Sequence, residues 1–165
     1  MLPLVRGCRR APTTGRRRLV RAVAICAIAS APAGAQEHRG AQEDARWTTI
    51  GRVFATTGEV EDGYYRINLP RTDLTVRIGD VTLAPGFELT SYVGFIPVGA
   101  TRVRGVGEVV VRDDEVSAAL AEAHRQGVRV TAVHNHLLGE NPRIMYIHVM
   151  AEGVADSVAQ HLRSV

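Results

Sequence analysis

Residues 128–150 read VRVTAVHNHLLGENPRIMYIHVM, and this stretch decides how the second half of the chain folds. Its two ends, residues 128–136 and 144–150, are rich in the β-branched and aromatic residues that favour strands. The seven residues between them, 137–143, contain glycine, asparagine and proline, which are typical of a loop. The stretch therefore predicts two antiparallel strands that are neighbours in one sheet.

Helices are predicted on both sides of this pair of strands. Asp113 is a good N-cap for a helix that Gly127 ends, and acidic residues follow it in the first turn. A last helix is predicted from about residue 154, with Val158 and Leu162 facing inward. The resulting order is β-α-β-β-α. We expect an α+β fold in which helices pack on one face of a mostly antiparallel sheet.

The first half of the domain is predicted to begin with one helix and to continue as short strands. Trp47, Ile50 and Phe54 recur at helical spacing, and Gly58 lies where a left-handed C-terminal residue is needed. Prolines and glycines then interrupt short apolar runs, which is typical of antiparallel strands. The predicted strands are 64–69, 74–78, 81–83, 88–96 and 101–111.

Residues 1–35 differ in composition from the rest of the chain. They carry seven arginines and no acidic residue, and the apolar run 22–31 precedes Ala33-Gly34-Ala35. This is the pattern of a cleaved signal peptide, and the run is about half of the roughly 20 residues that a membrane span needs. We expect cleavage after Ala35, a flexible tail over 36–44 and a single domain over 45–165. A lipid anchor at Cys26 is the alternative, and the general and twin-arginine export routes both stay open.

The charge and the cysteines of the predicted mature protein exclude several classes of function. It holds 13 Arg against 17 acidic residues, a formal charge of −4, and this acidic balance argues against nucleic acid as a partner. Both cysteines, Cys8 and Cys26, precede the cleavage point, which excludes a disulfide, a thiolate metal site and a cysteine nucleophile. We expect a periplasmic or secreted protein without stable membrane insertion.

Three histidines form the candidate site. Side chains alternate along a strand, so His134 and His136 share a face. If residues 137–143 form the loop, His134 lies opposite Tyr146, and His148 falls on the same face as the other two histidines. Three neutral imidazoles are the ligand set of a catalytic divalent ion, with Zn²⁺ as the first choice. A one-residue bulge would turn His148 away and leave the histidines with a structural role.

Three residues close to the histidines in sequence are candidates for further contacts. Glu140 lies in the predicted loop, where it could serve as a fourth metal ligand or as a general base acting on water. Asn135 and Tyr146 are candidates for contacts to the ligating histidines or to a substrate.

Three charged residues allow two interpretations each. Arg71 and Asp73 are predicted either to form a local ion pair at the turn after Pro70 or to reach the histidine face. Arg143 is predicted either to bind an anionic group of a substrate or to cap the loop.

Four motifs together resemble the bacterial family named after the lipoproteins LppY and LpqO, a domain of unknown function. They are TAVHNHLLGENPRIMYIH (131–148), LPRTDL (69–74), W-x-x-I from Trp47 and DDEV (113–116). The resemblance implies the family's fold over residues 47–165 and leaves the activity open. Family members often carry two copies of the domain, so the single copy here implies a truncated unit or a self-pairing homodimer. Family members also tend to have Gly-Asp where this chain has Gly107-Glu108. The difference keeps an acidic residue at this position and changes the length of its side chain.

The sequence therefore predicts an exported domain with a His-rich site for a divalent metal. Three functions follow from this interpretation: a metal-dependent hydrolase, an envelope module that binds a metal or a small ligand without catalysis, and a structural domain with hydrogen-bonded histidines. Bound metal separates the third from the first two, and turnover of a substrate separates the first from the second.

Overall fold

A computed structural model describes residues 44–165 of the chain. The predicted signal peptide, and the predicted tail up to residue 43, lie outside the described residues. The helices are α1 (Ala45–Phe54), α2 (Val116–Arg125) and α3 (Ala155–Ser164), with a short 3-10 turn at Asp113–Glu115. The strands are β1 (Glu59–Glu61), β2 (Tyr64–Pro70), β3 (Arg77–Ile78), β4 (Val81–Thr82), β5 (Thr90–Pro97), β6 (Arg102–Arg112), β7 (Arg129–His134), β8 (Glu140–Asn141) and β9 (Ile144–Val154).

The strands form one large and one small sheet. The large sheet has the order β1-β2-β5-β6-β9-β7, and all of its neighbours are antiparallel. The small sheet has the order β4-β3-β8. At the centre of the large sheet, β6 and β9 pair without interruption from Arg102 opposite Val154 to Arg112 opposite Ile144. The predicted α+β fold with a mostly antiparallel sheet and a C-terminal β-α-β-β-α unit is confirmed.

Alternate residues of the central strands belong to two different cores. On β9, Ile147 and Val149 pack in one core, while Ile144 and Tyr146 pack in the other. All three helices contribute buried residues to the first core, so the helices cover one face of the large sheet. The second core is smaller and includes Val76 next to the small sheet. Part of this second face carries the candidate site.

Close packing of α3 on the large sheet depends on a glycine. A Cβ atom added at Gly105 of β6 would lie 2.4 Å from Leu162 Cδ1 and 3.2 Å from Val158 Cγ1. Any larger residue would therefore displace the Leu162 side chain or α3 itself. Both Val158 and Leu162 are buried, as the sequence predicted. Among the described residues, no helix combines the length and the apolar character that a membrane crossing requires.

The ends of two predicted helices are placed differently. Ala55, with φ 55°, takes the left-handed position after α1 that was predicted for Gly58. Gly58 is needed for another reason, because a Cβ there would lie 2.3 Å from the backbone oxygen of Arg66. The turn that starts at Asp113 is a 3-10 turn, and α2 begins only at Val116.

Two predicted strands and one predicted loop are also placed differently. The strand predicted over 128–136 ends at His134, and residues 74–76 of the strand predicted over 74–78 precede β3. The predicted loop 137–143 contains β8, which pairs with β3 of the small sheet. This long-range pairing gives part of the loop a strand partner that local sequence cannot reveal.

Candidate metal centre

The pairing of β7 with β9 gives His134 and His148 the predicted register, while His136 lies two residues beyond the end of β7. His134 lies opposite Tyr146, and His148 lies opposite Ala132 on the same face of the sheet. The ring centroid of His134 is 4.9 Å from that of His136 and 4.9 Å from that of His148. A bulge does occur on β7, but it lies between Val130 and Ala132, before the site, and leaves the three imidazoles together.

Glu108 is the site residue that sequence reasoning missed. It lies directly opposite His148 on β6, with its Oε2 atom 2.8 Å from His148 Nε2 and 3.5 Å from His136 Nε2. Only 7% of Glu108 is exposed, and it is the one buried charged residue in the described part of the chain. A signal for it was present in the sequence, because Glu108 interrupts an otherwise apolar end of β6. Unpaired carboxylates are rarely buried in this way.

Each of four residues offers one ligand atom, and all of these atoms lie within 4.8 Å of one another. The residues are Glu108, His134, His136 and His148, hereafter the His₃Glu group. Three of these separations, 2.8, 3.0 and 3.5 Å, are close to the roughly 3.3 Å between ligand atoms that a tetrahedral ion with bonds of about 2.0–2.1 Å requires. The group could therefore hold a metal ion.

The hydrogen bonding inside the group fits a metal better than it fits a purely structural cluster. His148 Nε2 is buried and has no hydrogen-bond partner, although Glu108 Oε2 is 2.8 Å away, because the two groups are not aligned for a hydrogen bond. His134 Nε2 and His136 Nε2 face each other at 3.0 Å. A buried polar atom without a partner is costly, and a cation bound by His148 Nε2 would satisfy that atom.

Tyr146 and Glu88 both contact His136. The Tyr146 ring stacks on His136 with centroids 3.6 Å apart, and its hydroxyl donates a hydrogen bond to the Glu88 backbone oxygen at 2.7 Å. Burial raises the pKa of Tyr146 to about 12, and the charges of Glu88, Glu108 and Glu140 add to the shift. Tyr146 is therefore a neutral hydrogen-bond donor at neutral pH.

Two of the predicted site residues, Glu140 and Asn135, lie outside the His₃Glu group. Glu140 is on β8, and its Oε1 atom accepts a hydrogen bond from the Ile144 backbone N–H at 3.3 Å. Its charge is close enough to act on Tyr146. The Asn135 side chain donates to the Leu137 backbone oxygen at 2.9 Å, which shapes the loop immediately after β7.

Arg71 and Arg143, the two arginines among the predicted site residues, make contacts away from the histidines. Arg71 forms a paired hydrogen bond with Asp73 at 2.9 Å for both contacts, and it also donates to Glu115 and to the Val110 backbone oxygen. Arg143 is exposed, and its backbone oxygen accepts a hydrogen bond from the Asp113 N–H at 3.0 Å.

The centre is open to solvent. The side chains of His136 and His148 are 29% and 35% exposed, whereas that of Glu108 is only 9% exposed. Glu108 therefore forms the floor of the centre and the histidines form its walls. A small molecule can approach a metal held in this position.

Fold and site together define an α+β domain with one open His₃Glu group. The profile of the family described as Domain of Unknown Function (DUF1259) matches residues 48–165, and the chain belongs to that family. The expectation of an uncharacterised domain family is thereby confirmed. Comparisons with curated proteins and with solved structures found no match.

Proposed function

We propose that this protein binds one divalent transition-metal ion through the His₃Glu group. The observation that carries the proposal is the convergence of three imidazole nitrogens and one buried carboxylate within 4.8 Å. A buried carboxylate is costly unless a cation or several donors compensate its charge. The buried Nε2 atom of His148, which lacks a hydrogen-bond partner, supports the same conclusion.

Zn²⁺ is the ion that we expect the protein to hold. Imidazole and carboxylate ligands suit zinc, and zinc is bound more tightly than manganese or iron(II) by sites of this kind. Ions that prefer oxygen ligands, such as Mg²⁺ and Ca²⁺, are disfavoured by three nitrogen donors. Titration of the metal-free protein with Zn²⁺, Mn²⁺ and Mg²⁺ tests this order, and binding of Mg²⁺ as tight as that of Zn²⁺ would contradict it.

The openness of the centre supports a metal-dependent hydrolase. A bound divalent ion would supply a Lewis acid for attack by water on an ester, amide or phosphate. Glu140 is the candidate general base, since it lies on β8, between His136 and His148 in the chain, and its charge acts on Tyr146. We expect Glu140→Gln to retain the metal and to lose turnover in a panel of chromogenic ester and phosphate substrates.

A binding module without catalysis is the second candidate, and Glu108 favours it. Catalytic zinc centres have three protein ligands and keep one position for water, whereas Glu108 supplies a fourth ligand. A protein of this kind would bind Zn²⁺ and show no turnover with any substrate of the panel. In a purely structural domain, the wild type and His134→Ala would bind Zn²⁺ equally weakly.

The arginine-rich leader over residues 1–35 extends the proposal to the envelope. We place the mature protein in the periplasm or outside the cell, starting at Gln36 and carrying no lipid. The resemblance to a family whose members often carry two copies of the domain favours a homodimer as its assembly. N-terminal sequencing of the envelope fraction tests the start, and a mature protein that begins at an acylated Cys26 would overturn it. Light scattering of the purified protein tests the dimer, and a monomer at micromolar concentration would contradict it.

A further inference from the structure

Glu88 contacts the metal centre from outside the His₃Glu group. Its Oε2 atom lies 2.7 Å from Nδ1 of His136. The other ring nitrogen of His136, Nε2, faces the group, 3.0 Å from His134 Nε2 and 3.5 Å from Glu108 Oε2. The two nitrogens of one imidazole thus point to two different partners.

This arrangement determines which nitrogen of His136 carries the proton. A carboxylate accepts hydrogen bonds and a neutral imidazole has one N–H, so the contact with Glu88 places that proton on Nδ1. The lone pair is then on Nε2, the nitrogen that faces the other ligands. Histidines that ligate metals usually donate their second N–H to a carboxylate or a carbonyl in this manner.

Glu88 is held in place by Tyr146, the residue that also stacks on His136. The backbone of Glu88 has φ 61°, in the left-handed region that residues other than glycine rarely adopt. The Tyr146 hydroxyl donates to the Glu88 carbonyl at 2.7 Å, and the Tyr146 ring is parallel to that of His136 within 9°. An unfavourable backbone conformation kept by specific contacts is a frequent feature of functional sites.

We infer that Glu88 is a positioning residue of the metal centre, acting through His136 by fixing its tautomer and ring orientation with Nε2 toward the ion. The inference rests on the proposed metal binding and deepens it. Glu88 takes part only by way of His136, since Tyr146 and His136 account for its contacts at the centre. Loss of the Glu88 side chain should therefore weaken metal binding without removing a ligand.

The direct test is Zn²⁺ affinity, measured by calorimetric titration of metal-free protein. Glu88→Ala should lower the affinity about 10- to 100-fold. Glu88→Gln should recover most of this loss, because the amide oxygen still accepts from Nδ1–H. Glu59→Ala is the matched control, since Glu59 is an exposed glutamate on β1, at the opposite edge of the large sheet from β7, and it should bind like the wild type.

A double-mutant cycle with His136→Ala separates positioning from general structural support. If Glu88 acts through His136, adding Glu88→Ala to His136→Ala should cause no further loss of Zn²⁺ affinity. Glu88→Gly guards against misfolding, because glycine accepts φ 61° and should keep the thermal midpoint of the protein while losing affinity like Glu88→Ala. Tight Zn²⁺ binding by Glu88→Ala, or additive losses in the cycle, would overturn the inference. Absence of Zn²⁺ binding by the wild type would instead overturn the proposed function.

Discussion

Glu108 and His148 lie directly opposite each other on β6 and β9, with Glu108 Oε2 only 2.8 Å from His148 Nε2. The two strands pair without interruption over eleven residues on each side, so this contact is built into the most regular part of the sheet. A slip of one residue would move either side chain to the helix-covered face. Two ligands of the proposed centre are thus fixed by the central strands, and the other two lie at and just beyond the end of β7.

The first prediction concerns Glu108 as a ligand. Free Zn²⁺ at one hundred times its dissociation constant should stabilise the wild type by about 2.7 kcal/mol. At the same Zn²⁺ concentration, Glu108→Gln should show a much smaller rise in the thermal midpoint, because an amide is a far weaker ligand than a carboxylate. Differential scanning calorimetry with and without Zn²⁺ measures both shifts.

Glu152→Gln serves as the control for this prediction. Glu152 is an exposed carboxylate on β9, four residues from His148 and on the same face of the sheet, where it pairs with Arg104. It should keep the full Zn²⁺-induced shift. An undiminished shift in Glu108→Gln would show that Glu108 is not a ligand.

The second prediction concerns two separate substitutions in the segment after α1, one of glycine by alanine and one of alanine by glycine. Gly58→Ala should lower the free energy of unfolding by about 1–3 kcal/mol, because its Cβ would lie 2.3 Å from the Arg66 oxygen and 2.7 Å from Tyr65 Cζ. Ala55→Gly should raise it by about 1 kcal/mol, because Ala55 has φ 55°. Urea denaturation measures both values. Equal stability of Gly58→Ala and the wild type would contradict the close approach seen here.

A third prediction follows from the ion pairs of Arg71. The Arg71 guanidinium holds the pKa of Glu115 below its usual range, with the Arg112 backbone N–H adding to the effect and partial burial opposing it. Since the folded pKa lies below the unfolded value of about 4.3, the ionised pair stabilises the fold fully above that pH. This contribution is lost as pH falls through the lowered pKa.

Comparison of the wild type with Glu115→Gln tests this dependence. The variant should be less stable by about 1 kcal/mol at pH 7, a modest value because the pair is partly exposed. Thermal midpoints measured from pH 7 to pH 3 should converge below about pH 4.3, because only the wild type loses an ionised partner there. Curves that stay parallel down to pH 3 would exclude the pairing of Glu115 with Arg71.

The histidine cluster could be predicted because its geometry is local in sequence. His134 and His148 lie on two paired strands that are close in sequence, so strand alternation and the length of the connection, which contains β8, were enough to predict their register. The helices around them could also be predicted from local sequence, because their apolar residues repeat with helical spacing. Buried Val158 and Leu162 in α3 follow from that spacing.

Glu108 and Glu88 could not be predicted as site residues, because each reaches the centre through a contact between residues far apart in sequence. Glu108 is 40 residues before His148, and only the register of β6 with β9 brings them together. Glu88 reaches His136 from the segment just before β5, across 48 residues. The prediction that Gly58 ends α1 was wrong for a related reason. Gly58 is required by its close contact with β2, which is not visible in the local sequence.

The most direct measurement of the central claim is calorimetric titration of metal-free wild-type protein with Zn²⁺, beside the variants Glu108→Gln, His134→Ala, His136→Ala and His148→Ala. His161→Ala on α3 is the control, because His161 is exposed and α3 packs on the other face of the large sheet. The account predicts one ion per chain for the wild type and His161→Ala, and a steep loss of affinity in each of the four variants. Equal and weak binding by the wild type and all variants would show that the His₃Glu group is structural.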